Sequence, residues 1–116
     1  MNDFDIPIFK KTYDLYKTFY GYRDSIPKQD RYTVWQKSEE IILEIIESIL
    51  SASQTDKFEK GPLLRKASTK LNLLRVFIRL MKDTRALDSK KYLILESFVD
   101  EIGRMLGGWI RSTKER

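Results

Sequence analysis

The chain contains no cysteine and no histidine. The first absence excludes disulfides, thiolate nucleophiles and thiolate zinc sites. The second removes the usual proton shuttle and the commonest metal ligand. No apolar run approaches the roughly 20 residues that a membrane-spanning helix needs. The start Met1-Asn2-Asp3-Phe4-Asp5 is acidic and lacks the basic, then apolar, character of a signal peptide. There is no P-loop, no dinucleotide-binding glycine pattern, no nucleophile motif, no internal repeat and no low-complexity tract. These absences point to a cytoplasmic protein that is not an enzyme and carries no cofactor, metal or membrane anchor.

What is present is a chain of 116 residues, 41% hydrophobic and 34% charged. That suits one folded domain over 1–116 with a single core. The net charge is +5 and the pI about 9.4, which suits an acidic partner, although a modest basic excess also serves solubility alone.

Apolar residues recur at helical spacing in four stretches. Residues 1–7 read as a lead-in, with Pro7 suited to a first helical turn. The spacing of Phe9, Tyr13, Tyr16, Phe19 and Tyr20 predicts a helix over about 8–24. Its tyrosines and lysines suit packing better than a stacking platform for single-stranded nucleic acid. Pro27 disfavours helix at Ile26, and Asp30 is placed to cap a second helix over about 31–53. Trp35, Ser38, Ile42, Ile45, Ile46 and Ile49 form its apolar face. Glu40, Glu44 and Glu47 lie opposite. Carboxylates at that spacing can hold a metal in a bundle, but a metal site would face inward, and these face away.

Gly61-Pro62 opens a third helix over about 62–84. Asp88 or Ser89 caps a fourth over about 89–112, and the charged tail Thr113–Arg116 is expected to fray. With no strand-like alternation, the fold is an all-α, antiparallel up-down four-helix bundle.

The third helix is apolar over more than half its circumference. Leu71, Leu74, Ile78 and Met81 make one face. Leu73, Val76, Phe77 and Leu80 carry the apolar surface further round. Such a helix is buried on two sides, one against the bundle and one against a subunit or partner. Arg65, Asn72, Arg75, Arg79 and Lys82 share the remaining polar strip, and arginine forks suit phosphate oxygens. On the fourth helix Tyr92, Leu95, Phe98, Val99, Ile102, Met105, Leu106 and Trp109 are apolar, while Glu96, Asp100, Arg104 and Arg111 fall opposite. Gly103 and Gly107 sit one turn apart with Gly108 next, each costing about 1 kcal/mol relative to alanine inside a helix. Close approach of another helix accounts for them, and a helix break at Gly107-Gly108 is the alternative.

The run Leu74-Arg75-Val76-Phe77-Ile78-Arg79-Leu80, followed by Asp100-Glu101-Ile102-Gly103-Arg104-Met105-Leu106-Gly107-Gly108-Trp109, resembles the Avd proteins. These are the accessory variability proteins of diversity-generating retroelements. They are related to the four-helix bundle proteins encoded by intervening sequences in ribosomal RNA genes. Ile26-Pro27-Lys28, Pro62-Leu63-Leu64 and Ala67-Ser68 extend the resemblance over about 27–112. The Ser-Ile-Pro-x-Asn-Ile-Ala-Glu-Gly stretch of the intervening-sequence branch is absent, which favours the Avd side. The resemblance implies a ring-shaped homopentamer that binds RNA or DNA and a retroelement reverse transcriptase, supporting mutagenic cDNA synthesis in gene diversification. An interaction module that binds protein alone is the competing expectation. Arg75, Arg79 and Arg104 lie in the matching motifs. With Arg65, Lys82 and Arg111 they are the candidate nucleic-acid contacts. Leu73, Val76, Phe77, Leu80, Gly103, Gly107 and Trp109 are the candidate subunit and packing residues. Arg75 can instead pair with an acidic residue across a subunit boundary, and Arg104 with Asp100 one turn before it.

Overall fold

The computed structural model describes residues 6–114. The acidic lead-in Met1–Asp5 and the tail residues Glu115 and Arg116 lie outside the described residues. Four long helices carry the fold: α1 (Pro7–Gly21), α3 (Val34–Ser53), α4 (Lys60–Asp83) and α5 (Ser89–Ser112). A single turn, α2 (Lys28–Arg31), interrupts the connection between the first two. There is no strand among the described residues.

The helix ends show where local chemistry decided the chain path. Pro7 sits in the first turn of α1, where its missing N–H is not needed. The first helix stops at Gly21 rather than near 24, and one 3-10 turn over Arg23–Ser25 leads to buried Ile26. The second expected helix does not start at 31. Asp30 lies inside α2, and Thr33, with φ −122° and ψ −100°, breaks the path before α3 begins at Val34. Thr33 makes no side-chain cap bond, so the predicted Asp30 cap is absent. The third helix begins at Lys60, two residues before Pro62.

The turn after α4 closes without glycine. Arg85 takes φ 67°, the left-handed region. The Arg85 N–H donates to the Lys82 carbonyl at 3.0 Å, and the Ala86 N–H to the Met81 carbonyl at 2.8 Å. This is a Schellman closure with Ala86 and Met81 both buried. Asp88 then caps α5, accepting from the Lys91 N–H at 2.8 Å. Helix α5 runs unbroken through Gly107 and Gly108 to Ser112, so the predicted alternative of a break there does not occur.

Helices α3, α4 and α5 bury the faces their spacing predicts, but α1 departs from it: Ile8, Phe9, Thr12, Leu15 and Phe19 turn inward, while Tyr13 and Tyr20 are left 42% and 62% exposed because their hydroxyl tips favour water over the core. Leu15 and Phe19 of α1, Ile42, Ile45 and Ile49 of α3, Leu71, Leu74, Ile78 and Met81 of α4, and Leu95, Val99, Ile102 and Leu106 of α5 share one core. Burying a leucine or isoleucine side chain contributes roughly 1.5–3 kcal/mol. Buried hydroxyls in this core are satisfied locally. Thr12 donates to the Ile8 carbonyl at 2.7 Å and Ser38 to the Val34 carbonyl at 2.8 Å. Contacts between helices fix an antiparallel order α1–α3–α4–α5. Phe19 stacks on Trp35 with ring centroids 3.7 Å apart, Lys70 pairs with Glu44 at 2.9 Å, and Lys11 pairs with Glu101 at 3.2 Å. The α1–α3 seam therefore lies on the opposite side of the bundle from the α4–α5 seam.

Candidate nucleic-acid interface

The six predicted basic residues all lie along the α4–α5 side. Arg65, Asn72 and Arg79 are seven residues apart and share a stripe on α4, as do Arg75 and Lys82. Arg104 and Arg111 likewise share a face of α5. The two helices run antiparallel. Arg75 meets Asp100, Leu71 faces Gly103, and Lys60 lies 5.5 Å over the Trp109 ring. Arg65 and Arg111 therefore occupy the same end of the seam and Lys82 the other. At 1.5 Å per residue the band extends about 25 Å.

Not every member is free to bind. Arg75 pairs with Asp100 of the same chain, which also takes the acid that Arg104 was expected to use. Arg79 donates to Asp83 at 3.3 Å, and that bond raises its pKa further above the arginine range. The Lys82 ammonium lies 5.0 Å over the Tyr92 ring. Burial first, and then the bond to Glu96 at 3.0 Å, raises the Tyr92 hydroxyl pKa. Arg65, Arg104 and Arg111 are exposed and have no ion-pair partner among the described residues. The Arg65 guanidinium lies beside Gly61, and that of Arg111 beside Gly107 and Gly108. The band is thus anchored by ion pairs in its middle and open at the Arg65–Arg111 end, with Asp83, Glu96 and Asp100 interspersed.

The candidate packing residues divide. Leu73, Val76 and Leu80 are 39%, 60% and 45% exposed, on the outer face of α4. Phe77 and Trp109 are partly buried against the core. The glycines do not mark a close helix crossing. A Cβ on Gly103 would sit 3.6 Å from Leu71 Cδ2, an ordinary contact, and at Gly107 and Gly108 only Arg111 of the same helix comes within 4 Å. Within this chain no second helix backbone approaches these glycines, and each position has room for alanine.

On α3 the acidic residues point outward as expected. The bond from Lys70 is the main reason that the Glu44 carboxyl is held below the usual glutamate value. Among the described residues no group of three or more metal-ligating side chains forms. No helix of the described residues is long and apolar enough to cross a membrane.

Sequence reasoning missed the corner where α2 meets α3. The Trp35 ring is buried and its Nε1 has no hydrogen-bond partner among the described residues. Leaving such a donor unmet costs about 1–3 kcal/mol. Trp35 was readable as a core residue, but an orphaned indole N–H has no signature in a sequence.

No curated relative matches the chain. A family model described as bAvd-like matches residues 7–113. That span takes in all four long helices, both seams and the whole basic band, and on it the chain belongs to the bAvd-like family.

Proposed function

We propose that the chain is a non-enzymatic accessory protein that holds RNA or DNA on the α4–α5 band. In this reading it associates with a retroelement reverse transcriptase in the cytoplasm and supports mutagenic cDNA synthesis in gene diversification. The observation that carries the reading is the set Arg65, Arg104 and Arg111, exposed and without carboxylate partners among the described residues, on a chain of net charge +5. Membership of the bAvd-like family supports it. The assembly proposed is a homopentameric ring in which a second copy covers Leu73, Val76 and Leu80.

The exposed leucine and valine stripe also supports a second reading, an oligomeric module that binds protein alone, with its charges serving solubility. Titration of labelled RNA and DNA across a salt series, with the solution mass recorded alongside, separates the two. The accessory reading expects log K to fall linearly with log salt, with a slope of about −0.7 to −0.9 per phosphate contacted. Arg104→Glu with Arg111→Glu should remove most of the affinity and flatten the slope while the helical signal stays intact. Absence of binding at low salt by a folded oligomer would select the protein-only module.

A further inference from the structure

A second site lies on the opposite side of the bundle from the basic band, where the α1–α3 connection folds over the start of α3. Its cavity is about 210 Å³ and is lined by Arg23, Arg31, Tyr32, Trp35, Gln36 and Glu39. Each wall offers a different chemistry. Tyr32 is 71% exposed, an aromatic face with no core role. Arg31 is fixed by donating from Nε to the Ile26 carbonyl at 2.9 Å and from Nη2 to the Asp24 carbonyl at 3.1 Å. Two of its five N–H groups are thereby used and the rest remain. Arg23 has no ion pair among the described residues. One Glu39 carboxylate oxygen accepts from the Tyr16 hydroxyl at 2.9 Å, leaving the other oxygen as an acceptor. Trp35 forms part of the wall, and its indole N–H, buried behind that wall without an acceptor among the described residues, is a reporter of change there.

We propose that this corner is a pocket for one unpaired, amino-bearing nucleotide of a single strand. The base stacks on Tyr32, as aromatic side chains commonly hold unpaired bases. Its exocyclic amine donates to Glu39, and a ring or carbonyl acceptor takes the Gln36 amide N–H, with Trp35 as part of the wall. Arg23 and Arg31 hold the phosphate. The cavity is smaller than the roughly 300–1,000 Å³ of drug-sized sites, which fits one base better than a larger ligand. An acidic peptide would satisfy the arginines but meet Glu39 as a like charge. The site extends the nucleic-acid reading of the α4–α5 band but shares no residue with it.

The test follows the two indole N–H resonances, Trp35 and Trp109, in ¹⁵N-labelled full-length protein titrated with 5′-AMP, 5′-CMP, 5′-TMP and inorganic phosphate. AMP or CMP should move the Trp35 signal and leave Trp109 in place, with TMP roughly tenfold weaker or more. Tyr32→Ser and Arg23→Ala should each remove the shift without loss of helical signal. Glu39→Gln should erase the preference over TMP. A Trp35 signal unmoved by saturating nucleotide, while oligonucleotides still bind the band, would overturn the pocket and spare the band. A Trp35 shift that survives Arg104→Glu with Arg111→Glu, in a protein that no longer binds duplex, supports the pocket independently of the band. An equal response to TMP, or a full shift with phosphate alone, would overturn the nucleotide assignment.

Discussion

Helix α4 carries leucines on two faces, and the fold treats them differently. Leu71, Leu74, Ile78 and Met81 are at most 2% exposed, whereas Leu73, Val76 and Leu80 are 39–60% exposed. The residue types are nearly the same. The difference is that the first face meets α3 and α5, while the second meets nothing in this chain. Hydrophobicity thus declares that a surface wants cover, but only the packing shows whether the chain itself supplies it. Scattered exposed leucines need no explanation, and this stripe at one-turn spacing is the surface proposed above for contact with a second copy. The two faces should therefore fail by different measures when they are mutated.

The inner face should show the largest effect. Leu74→Ala removes a fully buried side chain from between three helices and should cost about 2–5 kcal/mol, read as a lower denaturation midpoint with helix and association lost together. A cost below 1 kcal/mol would mean that the inner face is loosely packed and the contrast is false. On the outer face, Leu73→Gln, Val76→Gln and Leu80→Gln combined should leave each bundle folded, at no more than about 0.5 kcal/mol per site. The same triple variant should reduce the solution mass to that of one chain. A triple variant that unfolds would show that the stripe belongs to the core. One that keeps its full mass would move the subunit contact elsewhere.

How much of this was readable in the sequence follows from the range of each interaction. The buried faces of α3, α4 and α5 were legible because the 3.6-residue period is local, whereas on α1 the tyrosines drew the reading away from the face through Leu15 that is buried. The spacing of Leu71, Leu74, Ile78 and Met81 assigns them to one side before any fold exists. The Asp88 cap was legible for the same reason. Pairings between distant segments were not. Arg75 looked like a phosphate contact, but Asp100, remote in sequence, occupies it. The glycines suggested a close crossing that the fold does not make, and their role is not explained by contacts inside the chain. The Tyr32 corner exists only because the connection breaks at Thr33 and turns Arg23 and Arg31 toward Trp35. No periodic pattern reports such a cavity. The basic band lies between these cases. Its stripe was legible, but which arginines remain unpaired was not.

The end of α4 offers a smaller test of the inner face. Arg85 holds a left-handed conformation that costs an ordinary residue about 1–2 kcal/mol. It does so because the Schellman bonds bring Ala86 and Met81 into the core. Arg85→Gly should relieve that strain, less the added entropy of the unfolded chain, for a net gain of about 0.5–1 kcal/mol. The gain should appear as a higher melting temperature with unchanged mass. A loss of stability would mean that the Arg85 side chain makes a contribution beyond closing the turn.

The smallest effect sits at the border between the two faces of α4, where Lys70 reaches Glu44 of α3 at 2.9 Å. Both side chains are partly exposed, so water screens the pair and it contributes at most about 1 kcal/mol. Its sign with pH is nonetheless fixed. The Glu44 carboxyl is held below its ordinary value of 4.5, chiefly by the bond from Lys70. A carboxyl whose pKa is depressed on folding stabilises the fold fully above its unfolded value and loses that contribution as pH falls through the folded one. The difference in melting temperature between the parent chain and Glu44→Gln should therefore be constant near neutral pH and vanish as the solution is taken below 4.5. A difference that persists in acid would assign the effect to packing of the Glu44 stem rather than to its charge. The α3–α4 border would then be held by apolar contact alone, as the inner face is.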